Sequence, residues 1–153
     1  MITDSFIREL EAIVGKEDVS VSRANAELYS YDASLARGKP GVVVFPADTR
    51  EAARVVRTAH QSGIPFVPRG FGTNLSGGTI VTVEGLVICL SRLNRILGMY
   101  PQSRYAVVQP GVTNLELQAA WRPSGSFTRP IRPVKKSPPS AETPVRIQAV
   151  RGA

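Results

Sequence analysis

A glycine-rich run that also carries hydroxyl and amide side chains begins at Arg69 and ends at Gly78. It directly follows Ile64-Pro-Phe-Val-Pro68, whose apolar residues predict a short buried strand. Glycines let backbone N–H groups approach an anion closely and adopt positive φ, and successive N–H groups form an anion-binding concavity. Side-chain donors are available from Arg69, Thr73, Asn74 and Ser76. The run predicts a phosphate-binding loop, and spacing alone leaves a plain surface loop as the alternative.

The loop matches neither common glycine-rich nucleotide motif. No Gly-Lys-Ser/Thr sequence closes it, so it is not a P-loop. The spacing after Gly72 also differs from the G-x-G-x-x-G dinucleotide fingerprint.

The segments around the loop read as a strand–helix–strand unit. Gly41–Phe45 is a continuous apolar run typical of a strand buried on both faces, and Pro46 ends it. A helix over Arg50–Ser62 follows, and Ile64–Val67 is the next strand. The predicted N-cap of this helix is Asp48 or Thr49, and its predicted inner stripe is Ala52, Ala53, Val55, Val56 and Ala59. The unit implies a pair of parallel strands and places the loop at the carboxyl end of the second strand, where open α/β sheets bind ligands.

Periodicity and turn residues predict the remaining elements. These are a helix over Asp4–Val14 with Asp4 or Ser5 as N-cap and Gly15 as its end, a short helix over Ser22–Tyr29, strands over Thr79–Val83 and Leu86–Leu90, a hairpin of Ile96–Tyr100 with Tyr105–Val108, a turn at Pro110-Gly111, and a helix from Leu115 to Trp121 capped by Thr113 or Asn114. The fold class is therefore α/β (α+β).

Length, cysteine content and charge limit the classes of protein to which this chain can belong. The 153 residues suffice for one domain, and no run approaches the roughly 20 apolar residues that span a bilayer. The single cysteine, Cys89, lies in an apolar run, so we expect its side chain to be buried. A single cysteine cannot form an internal disulfide, which suits a reducing, cytoplasmic compartment. Residues 1–120 carry twelve Lys/Arg and eleven Asp/Glu, whereas residues 121–153 carry seven and one. The basic character therefore belongs to the C-terminal segment.

Three segments in order resemble one family. Gly41–Pro46, Gly63–Gly78 and Val107–Thr113 are together similar to the N-terminal part of the FAD-binding domain of the p-cresol methylhydroxylase/vanillyl-alcohol oxidase flavoproteins. Within that superfamily the chain is most similar to the branch that contains glycolate oxidase and D-lactate dehydrogenase. The resemblance implies an N-terminal helical segment over 1–37, the first half of a PCMH-type FAD-binding domain over 38–120, and a separate tail over 121–153.

The resemblance also implies a set of cofactor-binding residues. The loop would wrap the FAD pyrophosphate, with amides from Gly70 and Gly72 and side-chain hydrogen bonds from Thr73, Asn74 and Ser76. Asn74 departs from the small residue usual at its position. The turn at Gln109-Pro-Gly111 would lie against the isoalloxazine side, and FAD would be noncovalent because the loop has no histidine. The full set is Pro68, Arg69, Gly70, Gly72, Thr73, Asn74, Leu75, Ser76, Gly77, Gly78, Pro110 and Gly111.

The family's chemistry is the oxidation of a small D-2-hydroxy acid such as glycolate or D-lactate. Hydride passes from the substrate α-carbon to flavin N5, and the electrons leave to a membrane or protein acceptor, such as an electron-transfer subunit. The resemblance therefore leaves open a membrane-peripheral location for the intact enzyme. Substrate-binding residues normally lie in a C-terminal domain that this sequence lacks, so no residue is assigned as catalytic. We expect the chain by itself to be inactive and poorly folded.

The family pattern stops after Ala120, where a basic, proline-rich segment begins. Its composition is typical of a disordered tail. The codons that could encode this segment, when read one base out of frame from Ala120 onward, can also encode a second sequence. That sequence is Leu-Ala-Pro-x-Gly-Leu-Phe-Tyr-Ala-Pro-Asp-Pro-Ser-Ser-Gln-Lys-Val-Ser-Thr-Ile-Gly-Gly-Asn. That string resembles the family's own continuation, including the Gly-Gly-Asn of its second flavin-contacting loop. Our hypothesis is that the segment from about Trp121 onward is a frameshifted translation.

Two other functions are compatible with the sequence. The basic tail could bind nucleic acid, although Trp121 and Phe127 are its only aromatic residues and scattered cations give nonspecific, salt-sensitive affinity. The loop could instead serve a different phosphate ligand in a regulatory or nucleotide-binding module.

The frameshift hypothesis predicts the coding DNA. Read one base out of frame from Ala120, it should spell the string above, because a match of that length does not arise from free third bases. Nucleotide sequencing across residues 119–143 checks this, and a shifted frame that encodes anything else would refute the hypothesis.

Overall fold

A computed structural model describes residues 2–34, 36–103 and 105–121. The elements are α1 (Asp4–Val14), a 3-10 turn (Lys16–Asp18), β1 (Val19–Ser20), α2 (Arg23–Leu28), β2 (Pro40–Val44), α3 (Thr49–Gln61), β3 (Phe66–Arg69), β4 (Gly85–Cys89), β5 (Ile96–Tyr100), β6 (Tyr105–Val108) and α4 (Asn114–Trp121). In the described part of the chain, no helix has both the length and the apolar character needed to cross a bilayer. The expectations for the tail fall on residues outside the described ranges, apart from Trp121.

The main sheet has the order β1-β2-β4-β3. β2 and β3 both run parallel to β4, and β1 is antiparallel to β2. The predicted strand–helix–strand unit therefore has the expected strand direction. Its two strands are not hydrogen-bonded to each other, because β4 lies between them. All five residues of β4 are buried, which suits a central position with a neighbour on each side.

The core lies on both faces of β2 and β4. One cluster joins these strands to α1 and α3 and includes Leu10, Val55 and Leu86, each with no exposed surface. A second cluster on the opposite face contains Val43, Val81, Val87 and Cys89. The predicted strand over Gly41–Phe45 is buried on both faces at Val42, Val43 and Val44, whereas Gly41 and Phe45 at its ends are partly exposed. The prediction that Cys89 is buried is confirmed.

Helix α1 has the predicted bounds, but its predicted N-cap is wrong. Thr3 caps it, because the Thr3 hydroxyl accepts from the Phe6 amide at 3.3 Å. Helix α3 begins after Asp48, whose carboxylate accepts from the Glu51 amide at 2.8 Å.

The buried stripe of α3 is narrower than predicted. Val55 and Ala59 are buried, whereas Ala53 and Val56 are exposed. One side of α3 packs against the sheet, so helix residues to either side of the line through Val55 and Ala59 are exposed to solvent.

The predicted strand over Thr79–Val83 is wrong. Ile80 and Val81 are buried, but they belong to an irregular segment. The Val81 carbonyl accepts a single bond from the Lys39 amide at 2.8 Å instead of joining a ladder. The apolar residues of this segment reflect side-chain burial and not strand pairing.

The C-terminal elements agree with the predictions. β5 and β6 form an antiparallel hairpin in which the Tyr100 and Tyr105 rings stack with centroids 4.5 Å apart. Helix α4 starts with a reciprocal cap, in which the Thr113 hydroxyl accepts from the Glu116 amide at 3.2 Å and the Glu116 carboxylate accepts from the Thr113 amide at 2.7 Å.

Replacing Leu10 with alanine should reduce the free energy of unfolding by about 2–5 kcal/mol, because it opens a cavity between α1 and the sheet. Leu28→Ala is the matched control, since Leu28 is 58% exposed, and it should change stability by no more than about 0.5 kcal/mol. Urea denaturation followed by circular dichroism measures both. Equal losses would show that α1 does not pack as described.

Candidate cofactor site

The glycine-rich loop leaves the carboxyl end of β3, as predicted. Among the described residues, none of the amides from Phe71 to Gly78 donates a hydrogen bond within the chain. Gly72 and Gly77 have φ of 70° and 69°, a left-handed conformation that suits glycine. The loop therefore presents a series of free N–H donors on a turned backbone, as an anion-binding concavity requires.

The side chain of Arg69 lies beneath this loop and not on its surface. It is 6% exposed, and its Nη1 donates to the Tyr31 carbonyl at 2.7 Å. Its guanidinium also lies 5.5 Å from the centroid of the Tyr29 ring and makes no ion pair with a carboxylate of the described residues. A side chain at Gly72 would collide with this guanidinium. A buried positive charge without a carboxylate partner thus underlies the free amides, which favours a bound anion.

Asp32 contacts the loop, although no motif in the sequence marks it. Its side chain is buried, and its Oδ2 accepts from Asn74 Nδ2 at 2.8 Å and from Thr79 Oγ1 at 3.3 Å. Its Oδ1 accepts from the Ser34 amide at 2.8 Å. The Asp-x-Ser spacing is a local signal for that last turn, but nothing in the sequence indicates contacts with residues more than forty positions away.

Burial alone raises the pKa of the Asp32 carboxyl. Hydrogen bonds from Ser34, Asn74 and Thr79 outweigh that effect, so the pKa lies below its ordinary value of 3.8. The group is therefore a carboxylate at neutral pH.

The Asp32 contact changes the role of Asn74. Its amide nitrogen donates to Asp32, and its Oδ1, 3.0 Å from Thr79 Oγ1, shares the single Thr79 hydroxyl proton with Asp32 Oδ2. Within the described residues, the hydroxyls of Thr73 and Ser76 make no hydrogen bond. The predicted donors at Thr73 and Ser76 are thus available to a ligand, whereas the Asn74 side chain is oriented toward the protein.

The other predicted residues of the loop differ in exposure. Leu75 is 81% exposed, and Gly78 is also exposed. Pro68 lies within β3, in register with Ile88, before the loop begins.

The second predicted segment lies beside the loop. An ideal Cβ on Gly70 would be 3.9 Å from the Pro110 carbonyl oxygen. A Cβ on Gly111 would lie 2.6 Å from the Leu90 carbonyl oxygen and 2.7 Å from that of Ser91, so this glycine permits close backbone packing. The fold thus brings Gly70 and Pro110 together, while Gly111 fixes the turn against the segment that follows β4.

The comparisons with known proteins agree with this geometry. A family model described as an FAD binding domain matches residues 40–133. The chain therefore belongs to the FAD-binding domain family. The family and the cofactor FAD that the sequence predicted are confirmed.

Among its relatives is the glycolate oxidase subunit GlcD of Bacillus subtilis (strain 168), 37% identical over 131 residues that cover 85% of this chain and 28% of that protein. D-2-hydroxyglutarate dehydrogenase of Escherichia coli (strain K12) is 33% identical over 82% of this chain and 13% of that protein. The chain thus spans little more than a quarter of the length of the first curated relative.

Solved structures confirm the fold class. The crystal structure of p-cresol methylhydroxylase with substrate bound superposes with a TM-score of 0.71 at 20% identity, over 80% of this chain and 25% of that chain. At this identity the likeness defines the fold alone.

The residues present fit an FAD diphosphate. Free amides, positive-φ glycines and a buried guanidinium converge on one loop, and a Cβ at Gly72 would disrupt them. No group of three or more histidine, cysteine or acidic side chains in the described ranges could hold a metal ion.

Gly72→Ala should lower the free energy of unfolding by about 1–2 kcal/mol from its left-handed backbone alone, and displacement of Arg69 adds to this. Gly78→Ala is the control, because its Cβ would make only ordinary contacts at 3.7 and 3.9 Å. Chemical denaturation compares the two variants. A Gly72→Ala protein as stable as Gly78→Ala would contradict both the left-handed backbone at Gly72 and the packing of Arg69 against it.

Proposed function

We propose that the loop from Arg69 to Gly78 binds the diphosphate of FAD noncovalently, within an oxidoreductase that oxidises a D-2-hydroxy acid. The observation that carries the proposal is the run of unpaired amides from Phe71 to Gly78 above a buried guanidinium. Membership of the FAD-binding domain family selects FAD among phosphate ligands.

Different groups of the chain would make different contributions to FAD binding. The free amides and the hydroxyls of Thr73 and Ser76 would donate to diphosphate oxygens, and Arg69 would offset their negative charge. Pro110, next to Gly70, would bound the site on the side of the flavin ring. The single histidine of the sequence, His60, is exposed on α3 and is not part of the loop, in keeping with noncovalent attachment.

Bound FAD would supply the hydride acceptor that amino acid side chains lack. The names of the relatives, glycolate oxidase and D-2-hydroxyglutarate dehydrogenase, favour a 2-hydroxy acid as the substrate class. The chain spans only part of these proteins, and we assign no catalytic residue within it. We therefore expect no turnover by this chain alone.

An electron-transfer subunit is the partner we propose for the intact enzyme. The support is the name of the Bacillus subtilis relative, which is one subunit of glycolate oxidase. Such a partner would take the electrons that the cofactor receives from substrate.

Nucleic acid binding is the second candidate function. It is favoured by the seven Lys/Arg against one acid in residues 121–153. Binding of this kind would weaken steeply with salt and show no base preference.

Titration with two flavins tests the principal proposal. The fluorescence of FAD should change at a protein concentration at least about tenfold lower than the fluorescence of riboflavin does, because riboflavin has the same ring and ribityl chain but lacks the diphosphate and adenosine. Arg69→Gln should raise the FAD dissociation constant by about tenfold, because it removes the buried positive charge that would offset the charge of the diphosphate. Riboflavin affinity should not change.

Arg57→Gln is the matched control, since Arg57 is exposed on α3 and lies outside the loop. It should leave both flavin affinities unchanged. Equal affinity of the unmodified chain for FAD and riboflavin would refute diphosphate binding. Tight, salt-sensitive binding of RNA without flavin binding would favour the second candidate.

A further inference from the structure

We propose that Asp32 is a positioning residue of the diphosphate loop, which it holds in the binding conformation through Asn74 and Thr79. This inference rests on the proposed function, because it assigns a purpose to the order of that loop. Asp32 lies outside the glycine-rich run and outside the three segments that resemble the family.

The geometry shows how one carboxylate restrains a whole turn. Its Oδ2 accepts from Asn74 at 2.8 Å and from Thr79 at 3.3 Å, and those two side chains also contact each other at 3.0 Å. Asn74 and Thr79 bracket the turn that contains Leu75, Ser76, Gly77 and Gly78. Both ends of the turn are thus fixed to a single buried group.

The neighbours of Asp32 reinforce this attachment. The Tyr31 carbonyl accepts from Arg69, and the Ala33 amide donates to the Gly72 carbonyl at 3.1 Å. Three consecutive residues, Tyr31 to Ala33, therefore support the loop from its start to its end. This segment packs beneath the loop through these hydrogen bonds.

Few other contacts could order the 74–79 turn. Its amides from Asn74 to Gly78 have no acceptor among the described residues, and Leu75 is 81% exposed. Among the described residues, the one backbone hydrogen bond of this turn runs from the Ile80 amide to the Gly77 carbonyl at 3.1 Å. Without Asp32, the free amides would be spread over many orientations, and binding would have to order them at an entropic cost.

Two other roles for Asp32 fit the structure less well. A carboxylate repels a diphosphate, so Asp32 is not itself a ligand of that group. No cluster of metal-ligating side chains occurs in the described ranges, so it has no partners for a cation. Its three donors are all neutral, which suits an acceptor that orients polar groups.

Asp32→Asn tests the proposal in the full chain, because it keeps the shape but places an NH₂ group against the donors of Asn74 and Thr79. The FAD dissociation constant should rise about tenfold, and that of riboflavin should stay the same. By ¹⁵N relaxation without flavin, the order parameters of the Gly77 and Gly78 amides should fall from about 0.85 toward 0.6 or below. Asp48→Asn is the control, since asparagine also caps a helix and Asp48 lies away from the loop.

A reciprocal pair of substitutions separates hydrogen bonding from general destabilisation. Asp32→Asn combined with Asn74→Asp exchanges donor and acceptor, so it should restore the order of Gly77 and Gly78. Unchanged order in Asp32→Asn, or a double variant as mobile as the single one, would overturn the positioning role. If the unmodified chain binds no FAD, the proposed function fails, but the relaxation data still decide whether Asp32 orders the loop.

Discussion

The site depends on one constraint: its backbone amides must be held in a fixed conformation without donating hydrogen bonds within the chain. An amide that pairs within the chain cannot bind an anion, and an amide on a mobile loop binds weakly. Here the restraint comes from side chains beneath the loop. Arg69 fixes the start of the loop to the Tyr31 carbonyl, and Asp32 fixes its end through Asn74 and Thr79. The amides between them remain free.

The sheet provides the frame for that arrangement. Strand β4 lies between β2 and β3, so the chain that follows β4 runs beside the loop that follows β3. Gly111 packs against the carbonyls of this chain, and the Gly111 amide donates to the Leu93 carbonyl at 2.7 Å. The turn at Pro110 is thereby placed next to Gly70. Two segments forty residues apart in sequence become one site because the same central strand positions both.

Local patterns predicted much of the fold. Helix α1 has the bounds that its apolar spacing and Gly15 indicate, and Asp48, one of the two predicted N-caps, caps α3. The β5–β6 hairpin and the position of the glycine-rich loop also follow from local residues. The strand predicted over Thr79–Val83 was wrong because burial and strand pairing give the same apolar signal. The predicted burial of Ala53 and Val56 was wrong because periodicity does not indicate how wide a face of the helix the sheet covers.

The sequence by itself predicted a phosphate-binding loop, since glycine spacing, a preceding strand and hydroxyl side chains are local features of the chain, and the family resemblance favoured that loop over a plain surface loop. Only the tertiary structure decided how that site is held. Asp32 and Asn74 are forty-two positions apart, and no local periodicity encodes a hydrogen bond across that separation. The direction of the Arg69 side chain was likewise set by what lies beneath it, the Tyr29 ring and the Tyr31 carbonyl. Those neighbours exist only once the segment before β2 has packed against the sheet.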